Sequence, residues 1–225
     1  MRGEAEAATE CAVWDMPTRL FHWALVVCLV GSFVTVQLHS MRVHAWFGYS
    51  ALALVLFRLI WGVLGSESAR FSRFVRGPAA AVEHLRSLAA REPDRDTTHN
   101  PLGGWAVLAL LMVVLAQGAT GLFANDDILF RGPLFALVGK AWSDRLTTWH
   151  YRLSDLLIVL VAAHVAAVLV YRVAFGRDLI TAMVSGRKRL PPTVAPPRFA
   201  SLWLAVVAFA MAAGAVWAVV TRQLL

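Results

Sequence analysis

An imidazole inside an apolar helix long enough to cross a bilayer is costly, and such side chains are usually there to bind something. The stretch from Thr147 to Ala167 carries two, His150 and His164. Fourteen positions is about four helical turns, so both rings fall on nearly one face, roughly 21 Å apart along the axis. Imidazole ligates metals through either ring nitrogen. Two rings in line at two depths read as two ligand positions, each needing a partner from another segment.

The rest of the chain is composed to hold helices in lipid. Of 225 residues, 59% are hydrophobic and 16% charged, and mean hydropathy is +0.63, well outside the range of soluble domains. Apolar runs of bilayer-crossing length lie at Leu20–Leu38, Val43–Leu64, Leu102–Phe123, Thr147–Val173 and Phe199–Val220. The expected fold is an all-α integral-membrane protein: a four-helix transmembrane bundle plus a fifth, C-terminal transmembrane helix. Glu4, Glu6 and Glu10 do not fit the basic start of a secretory leader, so the first run is expected to be retained.

Taken in order, the runs supply further candidates. His22 lies just inside the first run, after Pro17, with Trp14 and Trp23 suited to a membrane interface. The link 37–42 is short, so the second run returns antiparallel to the first, and His44 opens it. Arg58 follows His44 by fourteen residues, and a buried arginine needs an anionic partner. The segment 66–100 is rich in arginine, and Phe71, Phe74, Val75, Val82, Leu85 and Leu88 predict a helix lying at the surface. His84 and His99 fall there and are expected to face solvent. The third run has no histidine but carries Gly118 and Gly121. Segment 125–145 is expected to be an interfacial loop. The basic, proline-rich link 187–198 precedes the fifth run.

Lysine and arginine set the orientation. The side holding Arg2, Arg19, the 66–100 loop with Arg95, and the 172–198 segment has fourteen; the other has Arg42, Arg131, Lys140, Arg145 and Arg222. The positive-inside rule then places the N-terminus in the cytoplasm and the C-terminus in the periplasm. The net charge of +7 reflects those loops rather than nucleic-acid contact.

With that orientation the histidines sort by depth. His22 starts an outward span and His164 ends an inward one, so both lie near the inner side. His44 and His150 both start inward spans, so both lie near the outer side. Each pair joins two different helices, which is the arrangement of a haem axially ligated from both faces in a helical bundle. Ala162, Ala163, Ala166, Ala167, Gly48, Gly118 and Gly121 would leave room for a macrocycle. Arg58 falls at inner depth and Arg42, Arg145 and Arg152 at outer depth, as candidate partners for propionates. His39 ranks second to His44 as outer ligand. Zinc would want three or four converging ligands, and only two histidines meet at each depth. Cys11 and Cys28 lie far apart with no Cys-x-x-Cys-His, so neither a disulfide framework nor covalent haem attachment is expected. No serine or cysteine has the base and motif of a catalytic nucleophile.

Several strings, in order, then carry a resemblance. They are Trp14-Asp-Met-Pro-Thr-Arg-Leu-Phe-His-Trp23, His44-Ala-Trp-Phe-Gly-Tyr49 running to Phe57-Arg-Leu-Ile-Trp-Gly62, Asn100-Pro-Leu-Gly-Gly104 with Thr120-Gly-Leu122, and Trp149-His-Tyr151 with His164. Over about residues 13–190 the chain resembles the bacterial cytochrome b561 family and the b-type cytochrome subunits of nickel–iron hydrogenases. The family's four ligand positions fall on His22, His44, His150 and His164, the set that depth alone selects. The resemblance implies two haem b groups and a membrane cytochrome of the bacterial inner membrane.

The expected function is electron transfer between a periplasmic redox protein (a hydrogenase, another dehydrogenase or a c-type cytochrome) and the quinone pool. Trp14, Arg19 and Arg58 are candidate linings of a quinone pocket. Segment 125–145 is the expected landing place for the partner. One alternative keeps the haems in a stand-alone superoxide:quinone-type oxidoreductase; another is a haem-free metal or proton transporter. Residues 1–19 form a cytoplasmic N-terminal segment, 20–190 the di-haem domain, and 191–225 a linker and fifth helix. That helix departs from the four-span family pattern. Ala208, Ala212 and Gly214 have close-packing spacing, for a partner or for anchoring, and a homodimer stands open.

Overall fold

The computed structural model describes residues 9–221 other than 93 and 95. Arg2, Arg95 and Arg222 of the charge count, and Glu4 and Glu6 of the N-terminal reading, lie outside the described residues. In chain order the elements are β1 (Thr9–Ala12), α1 (Met16–Gln37), α2 (Met41–Leu64), α3 (Phe71–Phe74) and α4 (Pro78–Ala89). They continue with α5 (Pro101–Gly121), α6 (Phe135–Phe175), α7 (Leu179–Ser185), β2 (Arg187–Leu190) and α8 (Leu202–Thr221). Helices α1, α2, α5, α6 and α8 are long and apolar enough to cross a membrane. Helix is the form such runs must take, because hydrocarbon offers backbone groups no partner outside the segment. Val27, Val30, Val159, Met211 and Trp203 stand exposed on these helices, a surface suited to lipid rather than to water.

Local chemistry sets the helix ends. Asp15 caps α1: its Oδ1 accepts the Thr18 N–H at 2.9 Å, leaving Oδ2 for the Trp61 indole N–H at 3.0 Å. Both partners are buried, Asp15 at 4% and Trp61 at 0% exposure. At the other end of α1, His39 takes a left-handed conformation (φ 57°), and the Ser40 N–H reaches back to the Thr35 carbonyl at 2.9 Å. His39 is thus an exposed turn residue. Asn100 caps α5 by accepting the Gly103 N–H at 2.8 Å.

The region expected to be an outer loop is a loop only in part. Helix α6 starts at Phe135 and is broken at Gly139, where φ 69° and ψ 173° suit only a residue without a Cβ. Before it, Asp126 Oδ1 accepts the N–H groups of Ile128, Leu129 and Phe130 at 2.8–2.9 Å. That turn leaves Ile128 and Leu129 almost fully exposed. Asn125 Nδ2 donates to the buried Ser143 Oγ at 2.6 Å, which ties the loop to α6.

The chain forms two compact units. The first comprises the described residues up to Leu20 with Trp61–Leu108 and Ala163–Ala205. Its sheet pairs β1 with β2 antiparallel, Thr9 opposite Leu190 and Ala12 opposite Arg187. The Gly186 carbonyl extends the pairing by accepting from Val13 and Trp14 N–H. Neither strand was expected from so polar a pattern. The single surface helix expected in this unit is two, because Gly77-Pro78 interrupts it and Pro78 opens α4. His84 and His99 do not both face solvent as expected. His84 lies on the same stripe as Leu88 and is 7% exposed, and His99 packs between the rings of Trp14 and Phe74, 4.7 Å from each.

The second unit comprises Phe21–Ile60, Ala109–Ala162 and the chain from Val206. Leu52, Ala53, Leu122 and Val216 form its core, with Tyr49, Leu115 and Phe123 against them. Helix α8 belongs to this packing: Trp217 stacks on Trp46 at 6.4 Å and Phe209 meets Phe57 at 6.0 Å. Of its small residues, Ala208 and Ala212 are buried, while Gly214 is exposed.

Candidate functional site

Within the second unit, α2 and α6 bring His44 and His150 together. Their ring centroids are 6.1 Å apart and the ring planes nearly perpendicular, at 86°. Each ring is oriented by a backbone carbonyl. His44 Nδ1–H donates to Ser32 O at 2.8 Å, and His150 Nδ1–H donates to Gln117 O at 3.0 Å. A carbonyl only accepts, so both protons are on Nδ1 and each Nε2 is an acceptor, that of His150 facing the Gln117 amide. Securing the far nitrogen this way is the usual support for a metal-ligating imidazole.

Helix α5 makes the support possible. A Cβ on Gly121 would stand 3.0 Å from His150 Cε1, so only glycine lets α5 back directly onto the ring. One turn earlier, Gln117 Nε2 lies 3.1 Å from His150 Nε2, and Thr120 Oγ1 lies 3.3 Å from Nδ1. Ser32 Oγ approaches His44 Nδ1 at 3.3 Å. Sequence reading did not select Ser32, Gln117 or Thr120. Their signal was there: Gln117 and Thr120 beside Gly121 are a polar cluster inside an apolar run.

The donor set fits haem. Two imidazoles each about 2 Å from one metal ion through a ring nitrogen have centroids about 6 Å apart. Two nitrogen donors leave four equatorial positions for a macrocycle to fill. Among the described residues no group of three or more His, Cys, Asp and Glu converges as a closed metal cage would require.

The other expected site residues are placed as follows. His22, on α1, packs edge-on to Trp23 at 5.0 Å and is half-buried. His164, on α6, is half-buried. These two belong to different compact units. Arg58 is 2% exposed on α2. Arg152 is exposed and lies over the Trp149 ring at 5.5 Å; seven residues earlier Arg145 lies over Trp142 at 4.9 Å. In the first unit Arg19 donates to the Val184 carbonyl, and Trp14 packs on His99.

Five helices apolar and long enough to cross a membrane, two of them carrying a back-supported histidine pair, make a membrane protein whose donor set would suit a metal macrocycle between helices. The family model for prokaryotic cytochrome b561 matches residues 13–186. The chain belongs to that family. It is a multi-pass inner-membrane protein that binds b-type haem and transfers electrons. The match ends before α8. Neither the curated proteins nor the solved structures compared with it give a match.

Proposed function

We propose that the chain is a di-haem conduit passing electrons between a periplasmic redox protein and the quinone pool, with its N-terminus in the cytoplasm and its C-terminus outside. His44 with His150 and His22 with His164 would each hold one of the two haems through imidazole nitrogen. The observation that carries the reading is the His44–His150 pair: two rings at 6.1 Å, each with its Nδ1 proton committed to a carbonyl. Bound haem iron supplies the one-electron carrier, and histidine on both faces leaves no open position for substrate, which suits transfer rather than oxygen chemistry.

The protein's part is to orient and enclose. Ser32 and Gln117 carbonyls hold the tautomer, and α2 and α6 set the ring separation. Arg58 and Arg152 are the proposed partners of haem propionates, the first buried and the second stacked on Trp149. Ile128 and Leu129, raised on the Asp126 turn, offer an apolar tip for a hydrogenase, dehydrogenase or c-type cytochrome to dock against. The domain division proposed from sequence is residues 1–19, 20–190 and 191–225, the last an added element beyond the family match, which ends at 186.

The test is a reduced-minus-oxidised optical spectrum with haem-to-protein stoichiometry. Wild type should hold two low-spin b haems. His44→Ala and His150→Ala should lose the same one, and His22→Ala and His164→Ala the other. A single haem, or one indifferent to His164, overturns the di-haem reading.

A further inference from the structure

The first unit buries a second group of titratable side chains that the haem reading does not use. His84 sits on α4 at 7% exposure, and its Nε2 meets the Tyr171 hydroxyl at 2.9 Å, the two rings nearly parallel at 12°. On its other side, His84 Nδ1 lies 4.0 Å from Asp96 Oδ2, whose side chain is 35% exposed. The remaining charges about this group are Asp94, Arg177 and Lys188. Lys188 Nζ binds Asp94 at 2.6 Å, and Arg177 lies 3.9 Å from Asp94 and 4.0 Å from Asp96. The imidazole is the most enclosed of the three, with a part-exposed carboxylate on one side and a part-exposed phenol on the other.

The phenol end lies on α6, the helix that also carries His164. Tyr171 follows His164 by seven residues, so the two share a helix face about 10.5 Å apart along the axis. The Asn100 side chain lies near Tyr171. Its neighbour in sequence, His99, lies between the rings of Trp14 and Phe74.

We propose that Asp96, His84 and Tyr171 form a proton inlet from cytoplasmic water to a quinone bound beside the Trp14–His99–Phe74 rings. This rests on the quinone reading above. Reduction of a quinone to a quinol takes two electrons and two protons. Bound haem would supply the electrons one at a time; each proton forms an O–H bond on the quinone as the Tyr171 O–H breaks. Tyr171 is refilled from His84 Nε2, His84 takes a proton on Nδ1 from Asp96, which recovers it from water, and the imidazole returns to its Nε2–H tautomer before the second transfer. Quinol oxidation runs the same path outward. Burial holds His84 below its ordinary range, while desolvation beside Asp94 holds Asp96 above the ordinary carboxylate range. Donor and acceptor are thus brought closer in proton affinity, as a relay requires.

The experiment compares wild type with Tyr171→Phe and His84→Gln in nanodiscs. Dithionite-reduced protein is re-oxidised either by a short-chain quinone or by ferricyanide, which takes electrons without protons. Both variants should keep wild-type haem spectra and ferricyanide rates, and lose roughly a hundredfold in quinone rate, most severely at high pH. Reduced-minus-oxidised infrared spectra should carry a tyrosine band that disappears in Tyr171→Phe and shifts in His84→Gln. Wild type that reduces quinone, with variants matching it in rate and lacking these infrared differences, overturns the inlet. Wild type that exchanges no electrons with quinone overturns the reading beneath it.

Discussion

His150 and His84 are both drawn out of water, yet their surroundings differ in kind. His150 meets neutral groups: a carbonyl and an amide from Gln117 and a hydroxyl from Thr120. His84 meets charged or acidic ones, with a phenol at one nitrogen and a carboxylate 4.0 Å from the other. A carbonyl acceptor holds the proton on one nitrogen and leaves a lone pair in a fixed direction, which is what a metal needs. An acidic partner at each nitrogen lets a proton arrive at one and leave from the other. The same ring type thus suits two tasks, and what its nitrogens touch distinguishes them.

The largest expected effect comes from disturbing the neutral surroundings of His150. Gly121→Val places a branched side chain where even a Cβ would lie 3.0 Å from the ring. Helix α5 must retreat or the imidazole must turn, at about 1–3 kcal/mol of strain. One haem should be lost while helical content stays at the wild-type level, read by haem stoichiometry and far-ultraviolet circular dichroism. Retention of both haems would show that His150 does not need this backing.

Next comes a change in the first unit that should leave the haem proposed for His44 and His150 in place. Asp15→Ala removes the α1 cap and leaves the buried Trp61 N–H without its partner. The cap costs about 1 kcal/mol and the unsatisfied donor about 1–3 kcal/mol, so thermal stability should fall clearly. Asp15→Asn, which keeps an acceptor oxygen, should fall less. Equal losses in the two variants would mean that the hydrogen bonds are not the cause.

How much of this could be read in the chain follows from the range of each interaction. The helices of the bundle and the spacing of His150 and His164 are local properties of composition and a 3.6-residue period, and they were legible. The proximity of His44 to His150 is what depth implies, since each opens an apolar run taken to cross in the same direction. The pairing of Thr9–Ala12 with Arg187–Leu190 was not legible, since it joins polar segments from opposite ends of the chain. His84 was misread because its apolar neighbours Val82 and Leu85 suggested the buried stripe, whereas both are exposed and His84 lies inward with Leu88. Tyr171 and Asp96 are what make that burial tolerable, and neither is near His84 in sequence.

His84 should also leave a smaller, pH-dependent mark on stability. Burial disfavours its charged form; Asp96 and Asp94 oppose this, and Arg177 and Lys188 add to it. Its folded pKa is therefore below the unfolded value near 6.5. Between the two values the unfolded chain holds the extra proton, so stability falls as pH drops below about 6.5 toward the folded value. Asp96 acts with the opposite sign. Its folded pKa is raised, so its contribution is present at low pH and is lost as pH rises through that raised value. Removing the imidazole with His84→Gln should flatten the loss of melting temperature between pH 7 and pH 5.5. An unchanged slope would assign that loss to other groups.

The smallest effect is expected where charges meet in open water. Lys140 bridges Asp127 and Asp144 at 2.5 and 3.0 Å, and all three side chains are largely exposed. The hydrogen bonds to Asp127 and Asp144 raise the Lys140 pKa, but solvent screens the interaction and two flexible side chains must be held to make it. The loop also has firmer supports, since the Asp126 turn and the Asn125–Ser143 bond do not involve Lys140. Lys140→Ala should leave both the melting temperature and the haem spectrum at their wild-type values, whereas Asn125→Ala should lower the melting temperature. If Lys140→Ala melted lower by as much as Asn125→Ala, the exposed charges would be holding the loop, and proximity to water would be a poorer guide to strength than the contrast between His150 and His84 implies.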